Sequence, residues 1–273
     1  MAGERIDYTA AAVEAARSVL IELAHILGEY RDDMVLVGGW IPELLIPQSQ
    51  ERHVGSIDVD LALNHRELTE AGYRMIGEIL RHHGYIQDKQ QPFIFRKNVQ
   101  EQTVQVDFLA GEYGGTGKSR RTQKALDMQP RKARGCDLVF QIEPTRVAMK
   151  GHLPDGAVDE VQVQVASVVP FLVMKGMALE DRRKAKDAYD IYFILHNYPG
   201  GVEAVVKAFK PHLKLALVKE GLKKIAGKFA TLEHVGPKDV AEFDESLDEE
   251  DRTIRQRDAF EKVNFLLQQL GIA

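Results

Sequence analysis

HVGSIDVDLALN, residues His53 to Asn64, is the stretch whose reading decides the fold. Ile57, Val59, Leu61 and Leu63 alternate with Asp58, Asp60 and Ala62. A strand repeats its side chains every two residues, so the apolar set faces a core while Asp58 and Asp60 share the other face. Two carboxylates side by side repel one another unless something positive lies between them. A divalent cation is the obvious candidate.

Upstream, DMVLVGG (33–39) is an apolar run closed by Gly38 and Gly39, which predicts a buried strand entering a tight turn; WIPELLI (40–46) restarts as a short helix. Before it, Thr9 is placed to cap a first helix whose apolar stripe of Val13, Ala16, Val19, Leu23 and Ile26 ends near Tyr30. Downstream, Asn64 with Glu67 three residues later reads as a capping box for a helix to about His83. PFIFRKN (92–98) and QTVQVDFLAG (102–111) then read as strands. The second alternates Val104, Val106 and Phe108 against Gln105 and Asp107, which puts a third carboxylate on a sheet face. In HLPDGAVDEVQVQV (152–165) a Pro-Asp-Gly turn separates two strand-like segments. Ser167 and Pro170 mark a helix start, and the pattern is helical from there onward apart from breaks at NYPGG (197–201) and the acidic segment. The expected fold is therefore α+β: a catalytic lobe over residues 1–166, with a mixed sheet flanked by helices, and a mainly helical lobe over 167–273.

The 273 residues are 44% hydrophobic and 28% charged, the balance of a globular protein with a sizeable core. The lone Cys136 excludes an intramolecular disulfide framework and a cysteine-held zinc, which fits a reducing compartment and predicts a cytoplasmic address. No run approaches the roughly 18 apolar residues of a membrane span, and the N-terminus lacks the order of a signal peptide. A net charge of -5 argues against indiscriminate coating of nucleic acid, but it hides local contrast. Lys118, Arg120, Arg121, Lys124, Arg131, Lys132 and Arg134 face only Asp127, in a glycine-flanked segment with little periodicity that reads as a mobile, phosphate-binding loop. From Asp239 to Asp251 there are eight acids and no base.

Two glycines let a backbone approach a phosphate closely, while Asp58, Asp60 and Asp107 can hold divalent cations that polarise it and activate an attacking oxygen. That is the chemistry of phosphoryl or nucleotidyl transfer. Each element alone is common; their order and strand placement give them weight. Trp40 after the glycines reads as core or cleft wall, His82 and His83 as a helix end, and Cys136 as a bystander.

VGGW, SIDVDLAL and VQVDFL resemble the nucleotidyltransferase superfamily that includes DNA polymerase β, with its Gly-Gly turn, Asp-x-Asp strand and later third acid. More narrowly, GGWIPELL, GSIDVDL and KGMALEDRRKAKDAYDIYFIL are similar to the AbiEii/AbiGii abortive-infection toxin group, which includes toxins of the MenT kind. The similarity spans roughly residues 33 to 195. The gap between Gly39 and Asp58, filled by PQSQER, is longer than is usual in the superfamily, and Arg52 and His53 lie slightly further from Ser56 than the basic residue expected in this group, so neither is assigned a nucleotide contact.

The resemblance implies roles. Asp58 and Asp60 would bind the metal, Mg2+ or Mn2+, that carries a nucleoside triphosphate. Asp107 would help hold a second metal and take the proton of the incoming hydroxyl. Gly38, Gly39 and Ser56 would touch the phosphates, and Lys175 would neutralise charge on the pyrophosphate leaving group. Lys186, Asp187 and Asp190 would serve nucleotide binding. An unbroken helix would hold Lys175 about 22 Å from Asp190 along its axis, so either the chain bends near Glu180 and Asp181, with Asp181 capping a second helix, or the two serve different parts of a cleft. A face laced by pairs of Asp187 and Asp190 with Arg183 and Lys186 is the plainer alternative. The implied acceptor is RNA, at the 3′ end of tRNA, with an antitoxin protein as partner. Transfer to a small molecule or a protein, and a non-catalytic binding protein that kept the fold, are the competing readings.

Overall fold

The computed structural model describes residues 5–112, 128–182, 184–243 and 248–272. The chain divides into two compact units, one of residues 8–41 and 55–167 and the other of residues 1–7, 42–54 and 168–273.

The first unit is built on a mixed sheet. Thr9 does cap α1 (Ala10–Ile26), its hydroxyl accepting from the Ala12 amide at 3.2 Å. The α-helix stops at Ile26, short of Tyr30, and the chain continues as a 3-10 turn over Gly28–Asp33. The predicted strands form as β1 (Met34–Val37) and β2 (Asp58–Leu63). The helix α3 (Glu70–His82) begins six residues after Asn64, because Thr69 caps it by accepting from Gly72 at 3.3 Å. Asn64 instead closes a turn of its own, its carbonyl accepting from Glu67 and Leu68. His82 ends α3 and His83 follows as its C-cap.

After the two-residue β3 (Ile86–Gln87) come β4 (Ile94–Val99) and β5 (Gln102–Ala110). Of the basic stretch, residues 118–127 lie outside the described residues. Arg131 and Lys132 are not loop: they form β6, parallel to Leu109 and Ala110 of β5. The short α4 (Leu138–Gln141) precedes a hairpin of β7 (Thr145–His152) and β8 (Val158–Val165) about the Pro-Asp-Gly turn. Strand order is β3-β4-β5-β2-β1-β8-β7, with β6 on β5. β2 runs antiparallel to β1 and parallel to β5. α1 covers the sheet with Ala16, Val19, Leu20 and Leu23, all buried, and this side holds the core.

The chain leaves this unit within α2 (Ile41–Leu45) and returns to it at Gly55. The second unit is helical: α5 (Val168–Asp181), α6 (Ala185–Asn197), α7 (Gly201–Phe209), α8 (Ala216–Lys228), α9 (Val235–Phe243) and α10 (Glu249–Gln269). α5 starts after Ser167 as expected, yet the Ser167 hydroxyl is buried without a hydrogen bond and is no cap. α5 and α8 approach closely, since a Cβ on Gly176 would lie 2.4 Å from the Gly221 carbonyl oxygen. Within the acidic segment, Asp248 caps α10 by accepting from the Asp251 amide at 2.9 Å, and three acids occupy the first turn, where the helix dipole favours them. No described helix is long and apolar enough to cross a membrane.

Candidate active site

The parallel pairing of β2 with β5 sets Asp60 opposite Asp107 in register, and Asp58 lies two residues away on the same face. The three predicted carboxylates thus share one sheet face, and all are half-buried. Antiparallel pairing sets Val37 opposite Asp60, which brings the Gly-Gly turn over that carboxylate. Gly38 has φ 76°, and a Cβ there would fall 2.1 Å from Asp60 Oδ2. Only glycine fits both the left-handed backbone and this approach. Gly39 and Trp40 follow, both buried. The Trp40 indole donates to the Asp58 carbonyl at 2.8 Å, so the residue is a wall that fixes the first aspartate's backbone.

The carboxylates are held by neighbouring side chains. Ser56, buried, donates to Asp58 Oδ1 at 2.6 Å. Gln105 Nε2 donates to Asp107 Oδ1 at 2.8 Å. Arg131, stacked over the Phe93 ring, brings Nη2 to 3.8 Å from Asp107 Oδ2 while its side chain stays 44% exposed. Arg131 is thus a predicted basic residue that the structure sets beside the third aspartate. Among the described residues no three His, Cys, Asp or Glu side chains stand grouped to hold a metal ion. The donor set nevertheless fits a hard divalent cation in kind: carboxylate oxygens on one face, two of them in register, next to a turn that only glycine can make. Cys136 is buried, and burial with nearby Asp137 pushes its thiol up, which leaves it inert.

The remaining predicted residues come together in the helical unit. The chain bends between α5 and α6, with Asp181 as the last residue of α5 and not a cap; Lys184 stands at the N-cap of α6. The bend removes the 22 Å separation. Lys175 Nζ lies 2.7 Å from Asp187 Oδ1 and 2.6 Å from Asp190 Oδ2. Arg182 Nε donates to Asp187 Oδ2 at 3.0 Å, and Lys186 Nζ to Asp190 Oδ1 at 2.9 Å. The expected Lys186–Asp190 pair is present; Arg183 lies outside the described residues. Burial opposes the charges of Lys175, Asp187 and Asp190, but the pairing wins. Asp187 and Asp190 raise the Lys175 pKa, while Lys175, with Lys186 or Arg182, holds both carboxylates below the usual range.

His53 completes the cluster and was not legible as a member of it. Its Nε2 lies 2.9 Å from Asp190 Oδ1, and both side chains are fully buried. Its ring stacks on Tyr189 at 5.5 Å and meets Phe193 edge-on at 4.8 Å. Burial and the Lys186 charge lower its pKa to about 4 against the opposing pull of Asp190. The ring is neutral at pH 7, and because ionised Asp190 can only accept, Nε2 carries the proton. No local spacing links residues 137 positions apart, so sequence offers no signal for this contact.

The Gly-Gly turn thus lies over one of three carboxylates on a single sheet face, two of them in register. The model of one family, described as nucleotidyl transferase AbiEii toxin of a type IV toxin–antitoxin system, matches residues 23–267. The chain belongs to the AbiEii family. No curated protein and no solved structure matches it. This AbiEii protein is accordingly a nucleotidyltransferase of a toxin family, an enzyme whose substrate class is a nucleoside triphosphate. The matched span extends beyond the sheet and the Lys175–Asp190 segment into α10.

Proposed function

We propose that this AbiEii protein moves a nucleoside monophosphate from a nucleoside triphosphate to the 3′-terminal hydroxyl of an RNA, tRNA in particular, and releases pyrophosphate. The register of Asp60 with Asp107 beneath Gly38 is the observation that carries the reading. Asp58, Asp60 and Asp107 are the residues that would hold Mg2+ or Mn2+, and the ion would supply charge neutralisation at the triphosphate and lower the pKa of a bound hydroxyl.

The chain's own groups account for the other steps. Gly38 and Gly39 present backbone NH groups to the phosphates without a side chain in the way. Ser56 adds a hydroxyl that can exchange Asp58 for a phosphate oxygen. Asp107 accepts the proton of the acceptor hydroxyl as that oxygen bonds to the α-phosphorus, and the bond to the pyrophosphate oxygen breaks. Lys175 and Lys186, buried and paired with Asp187 and Asp190, brace the helical unit around its charged cluster. The cytoplasm supplies both substrates, and an antitoxin would restrain the toxin there.

Transfer from α-labelled and γ-labelled nucleoside triphosphates to purified tRNA separates this reaction from a kinase. The expected result is label retained from the α position only, on a lengthened tRNA, with pyrophosphate formed in equal amount. Label from the γ position, or transfer only to protein or a small hydroxyl compound, would overturn the acceptor or the reaction.

A further inference from the structure

The helical unit carries a second basic surface, unrelated in sequence to the stretch beside Asp107. Between Lys207 and Lys228 the chain has seven lysines and one acid, Glu220, in a protein of net charge -5. α8 sorts this segment by face. Val218, Leu222 and Ile225 are buried, and Gly221 packs on α5. The outer face of Ala216, Lys219, Glu220, Lys223, Lys224 and Gly227 follows helical spacing and, with Glu180 of α5, lines an open groove of about 520 Å³.

Two features make this more than a solvated face. Gly227 leaves room: a Cβ added there would meet nothing within 4 Å, so the floor beside the lysines stays open. The acids nearby are also already engaged, Glu220 with Lys224 at 3.7 Å and Glu180 with Lys228 at 3.8 Å, while no carboxylate among the described residues pairs with Lys219 or Lys223. Lys219 and Lys223 project one turn apart, about 6 Å along the axis. None of the exposed large hydrophobic residues lies on α8, and lysine is depleted where proteins bury surface against one another. A row of point charges over a shallow open floor suits a phosphate backbone, which lysines bind without base specificity.

We propose that the α8 face of Lys219, Lys223 and Lys224 binds the phosphate backbone of RNA. The inference rests on the reading above in one respect, that the bound RNA is the acceptor.

The test measures binding of labelled tRNA to the full chain by fluorescence anisotropy between 50 and 300 mM KCl, together with nucleotide transfer to the same tRNA. The K219Q/K223Q/K224Q variant is expected to weaken binding about tenfold or more near 100 mM salt, and to flatten the salt slope by about 2 for three lost contacts. Gly227→Glu places a negative charge on the open floor and replaces a helix glycine with a better helix former, so it is expected to weaken binding several-fold with melting temperature unchanged or raised. Lys238→Gln, on α9, is expected to bind as wild type. If transfer to tRNA proceeds and the triple variant keeps the wild-type affinity and slope, the surface is overturned while the acceptor stands. If lysine-dependent, salt-steep binding persists but no nucleotide reaches RNA, the acceptor reading fails and the surface stands. Binding of poly-L-glutamate that depends on the three lysines, with tRNA binding indifferent to them, would assign the face to an acidic protein and also overturn the proposal.

Discussion

On the sheet, three half-buried carboxylates share one face with a serine, a glutamine and one partly exposed arginine as neighbours. In the helical unit, two fully buried carboxylates meet Lys175, Lys186, Arg182 and a neutral histidine. Both groups belong to one enzyme, yet the carboxylates of the first are half-buried and those of the second are sealed from solvent. The first sets three half-buried carboxylates on one sheet face, a donor set that suits a divalent cation in kind. The second is closed, each carboxylate matched by cations within hydrogen-bond reach, and its role is to keep lysines charged and in place. A cluster closed on itself in this way fixes geometry.

Substitutions separate the two by what they cost. Asp60→Ala is expected to lower nucleotide transfer on the order of 10^4-fold, because a cation clamp supplies several kcal/mol to the transition state. Its melting temperature should change little, since a like charge beside Asp107 is removed. Asp190→Ala is expected to do the reverse at first hand: it leaves Lys175 and Lys186 buried beside a lost partner and destabilises the fold by about 3–5 kcal/mol, read by urea unfolding. Equal and small stability losses for the two would erase the distinction.

The histidine gives the closed cluster a pH signature. Its folded pKa of about 4 lies below the unfolded value near 6.5, so between these limits the unfolded chain binds the extra proton and stability falls as pH falls. The loss is expected to begin near pH 6.5, to approach about 3 kcal/mol by pH 4, and to be absent above pH 7. His53→Gln should remove this slope in unfolding curves taken at several pH values. A smaller effect is expected at the turn. Gly38→Ala forces a side chain into a left-handed backbone against Asp60, at a cost of about 1–3 kcal/mol in stability, with transfer activity falling further than stability explains.

Much of this was readable because it is local. Alternation placed β2 and β5 and hence all three aspartates, and Thr9 announced α1 through its own hydroxyl. The cap of α3 was misplaced because Asn64 and Glu67 satisfy the capping pattern, while Thr69, nearer the helix, makes the bond. β6 escaped because two charged residues carry no alternation; only their pairing with Leu109 and Ala110 makes a strand. The bend after Asp181 was open as one of two alternatives, and tertiary packing of α6 decided it. His53 was out of reach altogether, since its partner is distant in the chain and no spacing rule connects them.

Titration of the apoprotein with Mn2+, followed by the loss of the free-ion electron paramagnetic resonance signal, tests the sheet cluster most directly. Saturable binding that vanishes in Asp60→Asn and Asp107→Asn and survives in His53→Gln is the expected result. Wild-type transfer activity that persists in chelator with no Mn2+ bound, or Mn2+ binding indifferent to both aspartates, would contradict it.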